Sequence, residues 1–194
     1  MACICPGNLP SDYSANCGDE LYRPGGISHL VFIDCSSTLT DYTDVSEWET
    51  LETGGDLVVT KAGLGSKDAA SITTTKLYSC LPEVITGKEH TINFSTYVVD
   101  TATQADFDFF QELEENHQGM QVVYFGCDGL VYGADTMSDS GGKPGFDFSL
   151  QQLDYVQPED GVNEKAHYQL TLTINKRGIL KGWDIPGLIA ALTD

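Results

Sequence analysis

Basic residues are scarce in this chain: 10 Lys and Arg stand against 29 Asp and Glu among 194 residues, a formal net charge of −19. The few cations are scattered, and only Lys176 and Arg177 are adjacent. Binding to a phosphate backbone releases counterions only where Lys and Arg cluster on one face, so bulk nucleic-acid binding is disfavoured. No stretch of 18 apolar residues occurs, so no membrane-spanning helix is expected. The opening segment, Met1-Ala-Cys-Ile-Cys-Pro-Gly7, has neither a basic nor an apolar leader region. A soluble protein that stays in the compartment of its synthesis is expected.

The familiar signatures of catalysis are also missing. There is no Gly-x-Ser-x-Gly elbow, and the histidines at 29, 90, 117 and 167 form no His-x-x-x-His pair. Gly63-Leu-Gly-Ser-Lys67 has the look of a phosphate loop, but lacks its spacer and a following helix. Carboxylates abound in Asp41, Asp44, Glu47, Glu49 and Glu52 and again in Glu112, Glu114 and Glu115. Any acidic protein offers such pairs, and a solvated surface is the reading they support. Asp128, Asp135 and Asp139 lack the dense acidic ladder of a calcium loop. Neither an enzyme nor a cofactor is therefore expected.

Six cysteines lie at 3, 5, 17, 35, 80 and 127. Cys3, Cys5, Cys17 and Cys35 could offer four thiolates to zinc. Their spacing departs from the C-x2-C or C-x4-C pairs that aim two sulfurs at one metal, so free thiols are expected. Cys35 and Cys80 stand in apolar, strand-like surroundings, where cysteine acts as a small hydrophobe.

What is present is a core-forming composition, 41% hydrophobic and 10% aromatic, with strand-like runs. Residues 1–26, with Pro6, Pro10 and Pro24, read as an extended arm, and 27–194 as a single β-rich domain. His29–Cys35 is a run of β-branched and aromatic residues suited to a buried strand. Ser46–Leu51 and Asp56–Thr60 read as short strands about a Gly54-Gly55 turn, and Ser71–Ser79 as another. His90–Val99 alternates, with Ile92, Phe94 and Thr96 or Tyr97 marking its faces.

Gln104–His117 carries Phe107, Phe110 and Leu113 at helical spacing, widened by Phe109, with Asp106 and Asp108 in its first turn. Asp100-Thr-Ala-Thr supplies N-cap candidates, and Gly119 is placed to end the helix in a left-handed conformation. Met120–Phe125 and Leu130–Tyr132 form a hairpin about Cys127-Asp-Gly129. A polar loop covers 133–145 and a strand Phe146–Val156. In His167–Ile174, Tyr168, Leu170, Leu172 and Ile174 share a face. At the end, Asp184 reads as an N-cap and Pro186 as an early residue of a short helix.

This order of arm, strands, strand 90–99, helix 104–117, hairpin 120–132 and closing strands 146–156 and 167–174 resembles phage tail-tube (major tail) proteins and related virion structural proteins. The phrase Lys76-Leu-Tyr-Ser-Cys-Leu-Pro-Glu-Val-Ile-Thr-Gly87 looks like virion proteins of Bacteroidetes-type phages. The resemblance implies an antiparallel β-sandwich or barrel with one flanking helix, a terminal arm and a short C-terminal helix. It implies a virion subunit, made in the host cytoplasm, that rings and stacks with copies of itself and other virion proteins while DNA passes without specific binding. Subunit contacts would fall on Cys5, Pro6, Tyr13 and Tyr22 of the arm, Asp135, Met137 and Lys143 of the loop, and Trp183. A capsid decoration or head–tail ring protein, and a carbohydrate- or calcium-binding β-sandwich, are the alternatives.

Overall fold

The computed structural model describes residues 26–75, 84–96, 104–133, 142–157, 166–175, 180 and 182–193. Its strands are β1 (Ile27–Asp34), β2 (Leu57–Val59), β3 (Gly63–Lys67), β4 (Ser71–Thr75), β5 (Val84–Thr96), β6 (Met120–Gly126), β7 (Val131–Tyr132), β8 (Phe146–Val156), β9 (His167–Asn175) and β10 (Gly182–Trp183). Its helices are α1 (Val45–Gly54), α2 (Gln104–Asn116) and α3 (Leu188–Thr193), with a 3-10 turn at His117–Gly119.

Six strands close on themselves in the order β6-β8-β9-β5-β3-β1, and β1 pairs back onto β6 through Leu30↔Tyr124 and Phe32↔Val122. Every pairing is antiparallel. The fold is therefore a closed, mainly β barrel with extra strands; the sequence pattern pointed to the β-rich domain and the resemblance implied the sandwich or barrel.

Alternation along the strands fills the barrel. Tyr168, Leu170, Leu172 and Ile174 of β9 face Ile92 and Phe94 of β5, Leu30 and Phe32 of β1, and Val122 and Tyr124 of β6 in one buried cluster. Val31 and Ile33 of β1 and Val123 and Phe125 of β6 point the other way, into a second cluster. There Trp48 of α1 and Leu188 and Leu192 of α3 cover the outside of the wall. Because β1 is buried on both faces, its sequence is a continuous apolar run instead of an alternation.

Gly63 and Gly65 belong to this architecture. A Cβ at either position would collide with the Phe94 ring, and at Gly63 also with the Ser95 carbonyl. They let β3 cross close over β5, and their backbone is strand, with no phosphate-loop geometry.

Several sequence expectations are corrected. Ser46–Leu51 is part of α1, not a strand. Asp44 caps that helix: its Oδ1 accepts the Ser46 N–H at 3.0 Å, and Gly55 closes the other end at φ 82°. Gly119 is not left-handed, and α2 instead tightens into the 3-10 turn. At the chain end Asp184 caps nothing, because the helix starts only at Leu188. Pro186 lies before it, and Gly187, at φ 83°, makes the turn. Cys35 sits beyond the end of β1 and is exposed, so it is no core hydrophobe.

Candidate assembly surface

Helix α2 packs its apolar side on the barrel core. Phe110 and Leu113 enter the interior cluster. Phe109 tilts against Phe32 with ring centroids 5.8 Å apart. Phe107 stays 38% exposed while its ring meets Tyr155 and Tyr168 edge-on, at 5.4 and 5.8 Å. The expected aromatic stripe is therefore present, with its first member left at the surface.

Lys61, just after β2, ties to the first turn of α2 through Asp106 at 2.7 Å. Between helix and strand runs a cleft of two adjoining cavities of about 250 and 290 Å³. Val58 and Phe109 line both. Tyr168 lines the first, and its buried hydroxyl has no hydrogen-bond partner among the described residues. Burial, and then the nearby Asp106 and Tyr155, push that phenol up to about 12.

A second feature projects from the barrel. Strand β5 joins the wall only in its later part, where Glu89–Ser95 pairs with β9. Its earlier part, from Val84 to Lys88, pairs with β4 alone among the described strands. Every residue of β4 is exposed, with Ile72 at 52%.

Some of the carboxylates singled out in the sequence hold local structure. Asp41 accepts from both the hydroxyl and the N–H of Thr43, which lowers its pKa. Glu47 accepts from the N–H groups of Thr40 and Asp41 at 2.6 and 3.2 Å. Asp128 holds the β6–β7 hairpin, accepting from Leu130 N–H and from the Tyr132 hydroxyl at 2.6 Å. Tyr132 in turn stacks on Tyr124, 4.7 Å away. Burial, followed by Tyr132 and Asp128, raises the Tyr124 phenol. Burial lowers His29, which sits edge-on to Phe125. Among the described residues no three His, Cys, Asp or Glu gather as a metal site would require.

Of the expected contact residues, Lys143 is exposed and its carbonyl accepts the Tyr42 hydroxyl at 2.5 Å. Trp183 is half-buried, paired with Val131 across β10–β7 and packed on the outer cluster. Lys143 is thus anchored near α1 while Trp183 is tied to the outer wall, and neither joins the α2 cleft. Cys3, Cys5, Pro6, Tyr13, Cys17, Tyr22, Cys80, Asp135, Met137 and Asp139 lie outside the described residues, as do 97–103 with the expected N-caps of α2. Sequence reading missed the β2 edge; its only trace there is an uncharged Leu57-Val-Val59 on a strongly acidic chain.

No helix among the described residues is long and apolar enough to cross a membrane. No protein-family model matches the sequence, and no curated protein matches it. Among solved structures, a chain from the virion of a native gene transfer agent particle aligns at 13% identity and a TM-score of 0.37, over 61% of this chain and 82% of that one. A chain from the tail of an empty gene transfer agent particle, computed with helical refinement in C6 symmetry, aligns at 14% identity and a TM-score of 0.41. That alignment covers 69% of this chain and 90% of the other.

Proposed function

We propose that this chain is a non-catalytic structural subunit of a virion, a tail-tube protein that forms stacked rings with an acidic lumen for DNA passage. Its partners are copies of itself and other virion proteins, and its place is the virion, after synthesis in the host cytoplasm.

The β4–β5 ribbon carries this reading. A closed barrel satisfies its own strand edges and needs no further pairing. Here the chain extends two strands past the wall, and β4 gains no burial from the fold itself. A two-stranded ribbon alone is marginal in water, so a ribbon that protrudes is suited to contact with a neighbour. The charge of −19 supports the same reading, since a like-charged wall lets DNA slide without adhering.

Electron microscopy of the purified full chain over a concentration series tests the proposal. Rings or stacked tubes are expected, favoured by added salt that screens the acidic surfaces. A monodisperse monomer at every concentration and salt level would sink it.

A further inference from the structure

We propose that Tyr124 and Tyr132 form an oxidative modification site, where a one-electron oxidant joins the two rings as a dityrosine within one chain and Asp128 accepts the first proton.

Tyr124 of β6 and Tyr132 of β7 stand directly opposite each other in the antiparallel pairing. Their rings are nearly parallel, inclined by 8° with centroids 4.7 Å apart. The other stacked pair among the described rings sets Tyr168 on Phe110, and a phenylalanine has no hydroxyl from which to form a phenoxyl radical. A cavity of about 230 Å³ opens beside the two tyrosines, lined also by Asp128 and Lys67. Tyr132 is half-buried there and Tyr124 buried.

A short hydrogen bond decides which ring is oxidised first. The Tyr132 hydroxyl donates to Asp128 Oδ2 at 2.6 Å, the range of an O–H held by a carboxylate. A phenol loses an electron far more easily when its proton leaves at the same moment, and a base at hydrogen-bond distance takes that proton. Asp128 is fixed for the task, because its Oδ1 accepts from Leu130 N–H at 3.1 Å.

Tyr155 and Tyr168 make a second close pair of phenols, with centroids 4.9 Å apart and planes inclined by 46°. The Tyr168 hydroxyl has no hydrogen-bond partner among the described residues, so no acceptor is bonded to it to take its proton. Distance hardly separates the two pairs; the carboxylate does.

In the first step Tyr132 gives an electron to the oxidant and its phenolic proton to Asp128. Tyr124 then gives the second electron, and its proton leaves through the cavity to water. The two radicals join by a bond between ring carbons ortho to the oxygens. The hydrogens on those carbons shift to the oxygens and restore both phenols, and Asp128 passes its proton to water. Two oxidant equivalents are reduced, two protons reach solvent and one carbon–carbon bond is gained. That bond ties β7, paired with β6 at only two positions, and β10 beyond it to the barrel wall.

The test treats the folded full chain with persulfate and a photoexcited ruthenium complex as the one-electron oxidant, and maps the product by tandem mass spectrometry. Expected are a loss of two hydrogens, a chain still monomeric on a denaturing gel, and no fragment ions from between residues 124 and 132. Tyr124→Phe and Tyr132→Phe should each abolish this link. Asp128→Asn keeps an oxygen for Leu130 N–H, and should slow the link at least tenfold at unchanged circular dichroism. The parent reaction should also slow in deuterium oxide, and the Asp128→Asn reaction should not.

A link that forms as readily between Tyr155 and Tyr168, or oxygen gained at Tyr132 in place of hydrogen lost, would overturn the site. So would a parent chain whose other tyrosines oxidise while this pair stays unlinked. Asp128→Asn reacting at the parent rate would overturn the carboxylate as proton acceptor.

Discussion

The ring of Phe110 lies over the ring of Tyr168, with centroids 3.8 Å apart and planes inclined by 24°. This stack joins α2 to β9 and fixes the flanking helix to the barrel. Truncating Phe110 to Ala opens a cavity where helix and barrel meet, and core Phe→Ala changes typically cost about 3–5 kcal/mol. A loss of unfolding free energy of that size, read from urea denaturation, is expected. A change under about 1 kcal/mol would show that α2 is not anchored there.

Tyr168 itself gives a pH-dependent prediction. Its hydroxyl is buried without a partner among the described residues, so Tyr168→Phe should be neutral or stabilising by up to about 1 kcal/mol. The folded phenol is raised from 10.0 to about 12, whereas an unfolded one ionises near its ordinary value. The unfolded state therefore loses its proton first. The contribution to stability is complete below pH 10 and declines as pH rises from 10 toward about 12. Chemical denaturation across that range should show a shallower decline in Tyr168→Phe than in the parent.

Gln121 spans two loops. It is fully buried, its Nε2 donates to the Cys35 carbonyl at 3.1 Å, and its Oε1 accepts from Gly145 N–H at 2.9 Å. Gln121→Leu preserves much of the volume and strands both backbone groups. A loss of about 1–3 kcal/mol is expected, by the usual cost of an unsatisfied buried group. Faster amide exchange at Gly145 is the local signature, and unchanged exchange there would contradict the assignment.

The α1 cap is equally open to measurement. Asp44 accepts from both the N–H and the hydroxyl of Ser46. Asp44→Ala should cost about 1 kcal/mol, in line with other N-caps, while Asp44→Ser should recover most of it. Equal stability of all three chains would show that the cap contributes nothing.

How much of this was legible beforehand differs by element. In β9 one face is buried in the barrel, so period-2 alternation appeared in the sequence and its range could be read closely. Helix α2 was readable from the spacing of Phe107, Phe110 and Leu113. In α1 only Trp48 is buried, which is too little apolar signal to separate a helix from a strand, and the Asp44 and Gly55 caps outweigh it.

The sequence by itself determined the mainly β class, the central helix and the net charge of −19, because composition and local periodicity carry those directly. Tertiary structure alone decided that β1 closes onto β6, a pairing between residues about ninety positions apart that no local pattern encodes. It also decided that the backbone N–H and C=O groups of Leu57 and Val59 point away from β1, while the Leu57 side chain is buried in the outer cluster. Which edge of a strand is left unpaired depends on every other strand's register, and so becomes visible only once the barrel has closed.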